Sequence, residues 1–269
     1  RWQVSSPKVL VLRAPGINCE RETHFAFARA GGSPEYVHIQ QLLAEPKRLD
    51  QFRMVVVPGG FSYGDDISSG RVLAQEMKAQ LGDRILQFVA RGGLVLGICN
   101  GFQVLVRLGL LPCTTDKLEE EVTLTHNLSN HYECRWVTLQ TTKSRCVFLP
   151  AGLTLRWPAA HGEGRLIARD AAMQQMLLAE GYATALYVGP DGKPTEQYPH
   201  NPNGAPLGFA GLTNRTGRVL GVMPHPDRSY LPTHMPDWRR TQLERGALPE
   251  DGDGMVVFRE MVRVAKAEG

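Results

Sequence analysis

The sequence predicts an α/β protein built on an open, mostly parallel β-sheet with helices on both faces and extra β-rich segments. Short, continuous apolar runs alternate with segments whose apolar residues recur at helical spacing, which is typical of parallel strands covered by helices. Several of these runs end in turns rich in glycine, cysteine or histidine, and α/β proteins place their sites at such strand ends. We expect one domain over residues 1–269, with a core at about 8–230 and a C-terminal tail at about 231–269.

The composition is that of an ordinary globular protein with little charge bias. Of 269 residues, 42% are hydrophobic, and the formal net charge of +3 is too small to favour nucleic acid as a partner. Residues 1–6 lack the apolar segment of a signal peptide, and no run is long enough to span a membrane. The five cysteines have spacings that favour neither a disulfide framework nor a metal site, which predicts a reduced, cytoplasmic protein.

The first part of the chain is predicted to supply the parallel strands. Short apolar runs predict strands at 9–12, 36–39, 54–57 and 94–98. Helical spacing predicts helices at 20–30, 71–79 and 84–90. The loop after Leu12, the turn Pro58-Gly59-Gly60 and Cys99 all follow predicted strands, so we expect them at one edge of the sheet.

The remainder of the chain is predicted to add shorter, partly alternating strands. These are expected at 121–124, 132–140, 146–149, 183–188, 207–212 and 219–223. Helices are expected at 171–179 and 255–267, and turns at 161–164, 197–206 and 236–254. The last predicted strand ends at Pro224-His225-Pro226-Asp227, so it too brings polar residues to a strand end.

Cys99 lies at a predicted strand–turn–helix junction, in Gly97-Ile98-Cys99-Asn100-Gly101. This pattern is the cysteine form of a nucleophile elbow, in which small residues allow the sharp turn. Buried, inert cysteines at strand ends have the same local sequence. The turn by itself therefore leaves open whether Cys99 is a nucleophile or a structural residue.

A cysteine nucleophile needs a base and often an acid that orients the base. Of the eight histidines, His225 follows an apolar strand and has Asp227 two residues further on. His161 has the same spacing to Glu163, but the residues before it do not read as an apolar strand. We therefore predict His225 as the base and Asp227 as its partner.

Backbone N–H groups at Gly59-Gly60-Phe61 and at Asn100 are candidate donors to an oxyanion, because glycine lets the backbone approach a ligand closely. An ordinary strand-ending turn explains the same glycines. Gln103, one helical turn beyond Cys99, either contacts a substrate amide or caps the buried turn. The chain has neither a P-loop motif nor Rossmann glycine spacing, so any ATP is expected on another polypeptide.

The segment Gly97-Ile98-Cys99-Asn100-Gly101-Phe102-Gln103 resembles the nucleophile motif of class I glutamine amidotransferases. Other segments narrow the resemblance to the glutaminase subunits of phosphoribosylformylglycinamidine synthases, which act in purine biosynthesis. They are Pro58-Gly59-Gly60-Phe61-Ser62-Tyr63-Gly64-Asp65, Ala160-His161-Gly162-Glu163-Gly164, Gln197-Tyr198-Pro199-x-Asn201-Pro202-Asn203-Gly204 and Met223-Pro224-His225-Pro226. The resemblance runs from about Lys8 to Arg228 and assigns no role to the tail.

The resemblance implies a flavodoxin-like fold and hydrolysis of L-glutamine through a thioester on Cys99, with His225 as general base and acid. It implies oxyanion donors at Gly60 and Asn100. Substrate-binding residues are expected at Gly59, Gly60, Phe61, Asn100, Gln103, His161 and Glu163. The family usually has Glu where this chain has Asp227, so contact with His225 needs a small backbone adjustment or a bridging water.

The resemblance also implies partners. A large ATP-dependent synthetase subunit would use the ammonia to convert formylglycinamide ribonucleotide to formylglycinamidine ribonucleotide, and some members have a third, small subunit. No cofactor is expected in this chain, because ATP and Mg belong to the synthetase. Two alternatives stay open: a stand-alone cysteine hydrolase of the same fold, similar to γ-glutamyl hydrolase, and a non-catalytic regulatory subunit, which the shorter Asp227 motivates.

Overall fold

The computed structural model describes residues 6–268. The strands in this part of the chain are β1 (Lys8–Arg13), β2 (Ser33–His38), β3 (Met54–Val57), β4 (Leu94–Ile98), β5 (Val122–Thr125), β6 (Glu133–Thr141), β7 (Thr154–His161), β8 (Arg165–Ala168), β9 (Ala183–Tyr187), β10 (Phe209–Thr213) and β11 (Val219–Val222). The α-helices are α1 (Glu20–Arg29), α2 (Ile39–Ala44), α3 (Arg71–Ala90), α4 (Asn100–Leu108), α5 (Ala171–Ala179), α6 (Trp238–Arg245) and α7 (Met255–Ala267).

Nine strands form one sheet, in the order β2-β1-β3-β4-β11-β10-β9-β6-β7. The first five of these strands are parallel to one another, and their order is that of flavodoxin-like proteins. The β-rich second part of the chain extends the same sheet with antiparallel pairs, while β5 and β8 form a separate antiparallel pair. The predicted fold class, a parallel α/β core with added β-rich segments, is confirmed.

Helices cover both faces of the parallel strands. Leu12 of β1 borders the same apolar space as Met77 of α3 and Leu105 of α4. Side chains alternate along a strand, so Val9 of β1 faces the other way; Gly32, after α1, packs close to both Val9 and Val262 of α7. Two-sided cover explains why these strands read as continuous apolar runs.

Three helical segments differ from the predictions. One continuous helix, α3, replaces the two helices predicted around Gly82, because this buried glycine lies within the helix and packs against Leu118. Ile39, predicted to end the second strand, instead begins α2, and His38 caps that helix by accepting a hydrogen bond from the N–H of Gln40. The turn predicted at 236–254 contains α6, which has no buried residue and so gives no apolar periodicity.

Two β-segments also differ. Residues 146–149 do not form a strand; the N–H of Val147 donates to Gly217 in a loop contact instead. Conversely, β7 and β8 form where no strand is predicted. In β7 the reason is Pro158, which lies within the strand and breaks its apolar pattern. Proline is tolerated there because β7 is the last strand of the sheet.

Within residues 6–268, no helix combines the length and the apolar character needed to cross a membrane.

Candidate active site

Three neighbouring strands end at the candidate site. β3, β4 and β11 are adjacent and parallel, so the turns that follow them emerge at one edge of the sheet. Those turns carry Pro58-Gly59-Gly60, Cys99 and His225. The N–H of Cys99 donates to the carbonyl oxygen of Val222, the last residue of β11, at 2.8 Å. The predicted convergence of these turns is confirmed.

Cys99 occupies a strained elbow between β4 and α4. Its φ of 52° lies in the left-handed region that residues other than glycine rarely adopt, and strained positions of this kind cluster at functional sites. The flanking glycines allow the turn: a Cβ on Gly97 would lie 2.7 Å from the carbonyl oxygen of Gly101, and one on Gly101 would lie 1.8 Å from that of Val57. Close strand–helix packing therefore fixes the cysteine at the strand end.

His225 lies beside Cys99 and pairs directly with Asp227. The Nδ1 of His225 and the Oδ1 of Asp227 are 3.0 Å apart, so the shorter acid reaches the ring without a bridging water. Cys99, His225 and Asp227 are only 6, 1 and 0% exposed, and burial strengthens electrostatic interactions at this point.

The charges around His225 favour its protonated form. Burial alone disfavours an imidazolium, but the charge of Asp227 and the neighbouring Cys99, with hydrogen bonds to both, outweigh it and raise the pKa of His225 to about 10. His225 therefore holds a proton at neutral pH. A proton held beside the sulfur is available for a leaving group on a substrate bound at Cys99.

The loop after β3 offers fewer free amides than predicted. The N–H of Phe61 donates to the carbonyl oxygen of Gly16 at 2.8 Å, so the prediction that Phe61 supplies an oxyanion donor is wrong. Among residues 6–268, the N–H groups of Gly60 and Asn100 have no acceptor. The N–H of Gly59 has no acceptor there either, so Gly59, Gly60 and Asn100 remain the candidate oxyanion donors.

Gln103 connects the segments around the elbow. Its Oε1 accepts a hydrogen bond from the Nδ2 of Asn100 at 2.9 Å, and its Nε2 donates to the carbonyl oxygen of Glu163 at 2.7 Å. The Oδ1 of Asn100 accepts from the N–H of Ser62 at 3.0 Å. Two roles were left open for Gln103, contact with a substrate amide or capping of the buried turn, and this network corresponds to the second. The same network holds the loop after β3 against α4.

A cavity of about 250 Å³ opens beside Cys99. Its walls are formed by Gly60, Phe61, Asp65, Ser69, Cys99, Gln103, His126, Tyr132, Ala160, His161, Gly162 and Glu163. Gly60, Phe61, Gln103, His161 and Glu163 line the cavity, and their contact with a substrate stays a prediction. Gly59 and Asn100 do not line it: Gly59 packs against the His225 ring, where a Cβ would lie 2.8 Å from Cε1.

The prediction that no strand delivers His161 is wrong, because His161 is the last residue of β7. This strand also forms a wall of the site. The carbonyl oxygen of Pro158 accepts a hydrogen bond from the N–H of His225 at 2.7 Å, and that of Ala160 lies 3.5 Å from the Sγ of Cys99. The proline that hid the strand from the sequence pattern therefore orients the backbone of His225.

Sequence reasoning missed several residues of the cavity, among them Asp65, Ser69 and Tyr132. Of these residues, Asp65 has a shifted pKa. Burial and the neighbouring Glu163 raise the pKa of its carboxyl, although a hydrogen bond from Ser69 opposes this. Its only signal in the sequence was its place in the segment after β3. The ring of Tyr132 lies 6.4 Å from that of Phe61, and both are exposed at the cavity wall.

One cluster in the described part of the chain has the spacing of a metal site. The Sγ of Cys19, a ring nitrogen of His225 and a carboxylate oxygen of Asp227 lie within 4.8 Å of one another. However, the Nη2 of Arg228 lies 3.0 Å from the Sγ of Cys19, and its fixed positive charge opposes a cation at this point. The Asp227 Oδ1 is also engaged by the Nδ1 of His225. The cluster is better suited to holding the His225–Asp227 pair than to binding a metal.

The chain is similar to named proteins over almost its whole length. It is 42% identical to the phosphoribosylformylglycinamidine synthase subunit PurQ of Dehalococcoides mccartyi, over 98% of this chain and 99% of that protein. It is also 42% identical to the subunit of the same name from Methanococcus maripaludis, over 94% and 93% of the two chains. Among solved structures, PurLQS from Thermotoga maritima matches with a TM-score of 0.69 and 30% identity, over 96% of this chain and 98% of the matched chain.

The family-level match covers the same region. Residues 6–264 match the CobB/CobQ-like glutamine amidotransferase domain, a span that contains the elbow, the His225–Asp227 pair and the cavity. The chain therefore belongs to the CobB/CobQ-like glutamine amidotransferase family.

Proposed function

We propose that this chain is the glutaminase component of a phosphoribosylformylglycinamidine synthase. It hydrolyses L-glutamine and passes the ammonia to an ATP-dependent synthetase that makes formylglycinamidine ribonucleotide for purine biosynthesis. The main observation in support of this chemistry is that a strained Cys99 lies next to the His225–Asp227 pair and beside a cavity. The names of its relatives, at 42% identity over nearly full length, support the reaction and the pathway.

In the proposed reaction, the sulfur of Cys99 attacks the side-chain amide carbon of glutamine. The N–H groups of Gly60 and Asn100 stabilise the oxyanion that forms. The His225 imidazolium gives its proton to the amide nitrogen, the C–N bond breaks, and ammonia leaves a glutamyl thioester. His225 then takes a proton from water, which attacks the thioester and releases glutamate. Asp227 orients the ring and stabilises its charge throughout.

The charges of the cavity suit the other end of glutamine. Asp65 and Glu163 both line the cavity, and Glu163 disfavours charge on Asp65, whose pKa it raises. An α-ammonium group between them relieves that repulsion. We therefore assign Glu163, with Asp65, to the ammonium end of the substrate, and Cys99 to the amide end.

The proposal includes two partners. A large synthetase subunit carries ATP and Mg, and a small third subunit is suggested by the name of the matched PurLQS structure. This chain itself is assigned no cofactor. It is taken as a single domain, because its strands join one main sheet and α7 packs near α1. A cytoplasmic location rests on the cysteine spacings, which favour no disulfide framework.

The two alternatives are less well supported. The relatives that match this chain over nearly its full length are named as subunits of a synthase. Their names favour a chain that works with a synthetase over a stand-alone hydrolase. The regulatory alternative depended on Asp227 being too short, and the 3.0 Å contact with His225 removes that reason.

A glutamine-like alkylating agent is expected to modify Cys99 selectively in the complex with the synthetase, and an excess of glutamine is expected to protect it. The reason is that, within residues 6–268, Cys99 is the cysteine that lines the cavity, and it lies beside a protonated histidine. Peptide mass spectrometry measures the site and extent of labelling. Cys134 is the internal control, because it is the exposed cysteine. Preferential labelling of Cys134, or labelling that glutamine does not reduce, would contradict the proposal.

Replacing Asp227 by asparagine is expected to lower kcat/KM for glutamine by about 10²- to 10⁴-fold, because the amide no longer stabilises the imidazolium. The variant also loses a negative charge that raises the pKa of His225, so that pKa falls from about 10. Since the protonated ring is the acid, the alkaline decline in kcat/KM moves to lower pH. A pH–rate profile of wild type and variant measures both effects.

Asp227→Glu is the matched control, since it keeps the carboxylate and has the length usual in the family. It is expected to keep the alkaline decline near the wild-type position. If Asp227→Asn leaves both the rate and the pH profile unchanged, Asp227 has no part in the reaction.

A further inference from the structure

His161 is held on one side of its ring and is unpaired on the other. Its Nδ1 lies 3.1 Å from the Oδ1 of Asn127. The ring packs against Gly164, where a Cβ would come within 2.5 Å of it, so the missing side chain of Gly164 leaves room for the ring. The Nε2 is buried and has no hydrogen-bond partner within residues 6–268.

Asn127 determines which nitrogen of His161 carries the hydrogen. The Nδ2 of Asn127 donates to the carbonyl oxygens of His131 and His161, at 3.0 and 2.8 Å. Its Oδ1 accepts from the N–H of Gly164 at 3.1 Å. These three bonds fix the orientation of the amide, so the atom facing the ring is an acceptor. The Nδ1 must therefore be the donor, and in the neutral ring Nε2 is left with a lone pair.

The surroundings keep the ring neutral. Burial, with the positive charge of His225 nearby, lowers the pKa of His161 to about 4. At neutral pH, His161 thus contributes one hydrogen-bond acceptor, Nε2. Buried acceptors are nearly always satisfied by a partner, and His161 lines the cavity in which a ligand would lie.

The position of His161 selects the part of the substrate. The carbonyl oxygen of Ala160, the preceding residue, lies 3.5 Å from the Sγ of Cys99, and the charge of His225 acts on the His161 ring. His161 is therefore close to the reacting atoms. Resting on the glutaminase function proposed above, we propose that Nε2 of His161 accepts a hydrogen bond from the amide nitrogen of glutamine and holds that nitrogen as it departs.

The bond would orient the nitrogen for proton transfer. The amide nitrogen has two hydrogens; one bonds to Nε2, and this sets the direction of the nitrogen lone pair as the carbon becomes tetrahedral. When the S–C bond has formed and the C–N bond breaks, the third hydrogen of ammonia comes from the His225 imidazolium. His161 neither gains nor loses a proton in this step.

The test compares two substrates that differ in the leaving group, with the chain in its complex with the synthetase subunit. With glutamine, the leaving group is a nitrogen that bears N–H donors. With the γ-methyl ester of glutamate, the leaving group is a methoxy oxygen, which offers no N–H to His161. The variant is His161→Asn, because its amide N–H replaces the Nδ1 donor to Asn127 while the Nε2 acceptor is lost. Glutamate release gives kcat/KM, which reports the step in which the leaving group departs.

His161→Asn is expected to lower kcat/KM for glutamine about tenfold, the loss expected for one hydrogen bond, and to leave the ester within about twofold of wild type. His161→Gln, which carries an acceptor oxygen near the position of Nε2, is expected to retain more of the glutamine activity. Losses that are equal for both substrates in both variants, or no loss for glutamine, would overturn the assignment of His161. A wild-type complex that releases glutamate from neither substrate would instead refute the proposed function.

Discussion

Replacing Cys99 by alanine is expected to abolish product formation from glutamine in the reconstituted synthase and to leave formation from added ammonia intact. Loss of a nucleophile that forms a covalent intermediate lowers turnover by up to about 10⁶-fold. The ammonia route bypasses this chain's chemistry, because the nitrogen then reaches the synthetase without a thioester. The measurement is the rate of ATP-dependent amination with each nitrogen donor, over a range of donor concentrations.

Alanine is a suitable replacement because it removes the sulfur while keeping the backbone of the elbow. The matched control is Cys134→Ala, which alters an exposed cysteine outside the cavity and is expected to leave both rates unchanged. Equal loss with glutamine and with ammonia would mean that Cys99→Ala damages the assembly, and the role of Cys99 as nucleophile would then lack support.

Replacing His225 by alanine is expected to lower glutamine hydrolysis by about 10²- to 10⁴-fold, the usual contribution of a positioned acid–base group. His225 is the histidine that has both the contact to a buried acid and a pKa raised to about 10. His161 has a pKa lowered to about 4 and accepts no proton near neutrality. Steady-state kinetics of the His225→Ala and His161→Ala variants, again with ammonia as the bypass, compares the two.

The expected order is a much larger fall in kcat for His225→Ala than for His161→Ala. The reverse order would assign proton transfer to His161 and would require its ring to be protonated in the complex. A matched measurement is the rate of Cys99 alkylation, which depends on the charge beside the sulfur and is expected to fall more in His225→Ala. Retention of ammonia-dependent activity in both variants shows that each chain still assembles with its partner.

Local sequence was sufficient for the parts of the site that lie at the ends of buried parallel strands. Cys99 and His225 follow β4 and β11, whose side chains are covered on both faces, so their apolar runs could be read directly. Parallel strands deliver their carboxyl ends to one edge whatever the strand order, and this brought Gly59-Gly60, Cys99 and His225 together in the prediction. The strand and helix patterns in the first 110 residues were predicted for the same reason, with errors mainly at Ile39 and Gly82.

Sequence reasoning failed where a residue's partner lies far along the chain or where a strand lacks apolar periodicity. The N–H of Phe61 is occupied by Gly16, a contact that no spacing indicates. The strand that delivers His161 is interrupted by Pro158, which only an edge position permits. The N–H of His225 in the loop after β11 donates to Pro158 of β7, although three strands lie between β11 and β7 in the sheet. Neither spacing along the sequence nor strand adjacency indicates this contact.

By itself, the sequence determined the α/β fold class, the nucleophile elbow at Cys99 and the histidine of the neighbouring strand, because each depends on local periodicity and on short glycine spacings. The tertiary structure decided the rest. It shows that Asp227 reaches His225 directly at 3.0 Å, and that Gly60 and Asn100, rather than Phe61, keep free amides. It also shows that Asn127 sets the tautomer of His161. These features depend on how closely particular atoms approach one another, and only the packed structure fixes such distances.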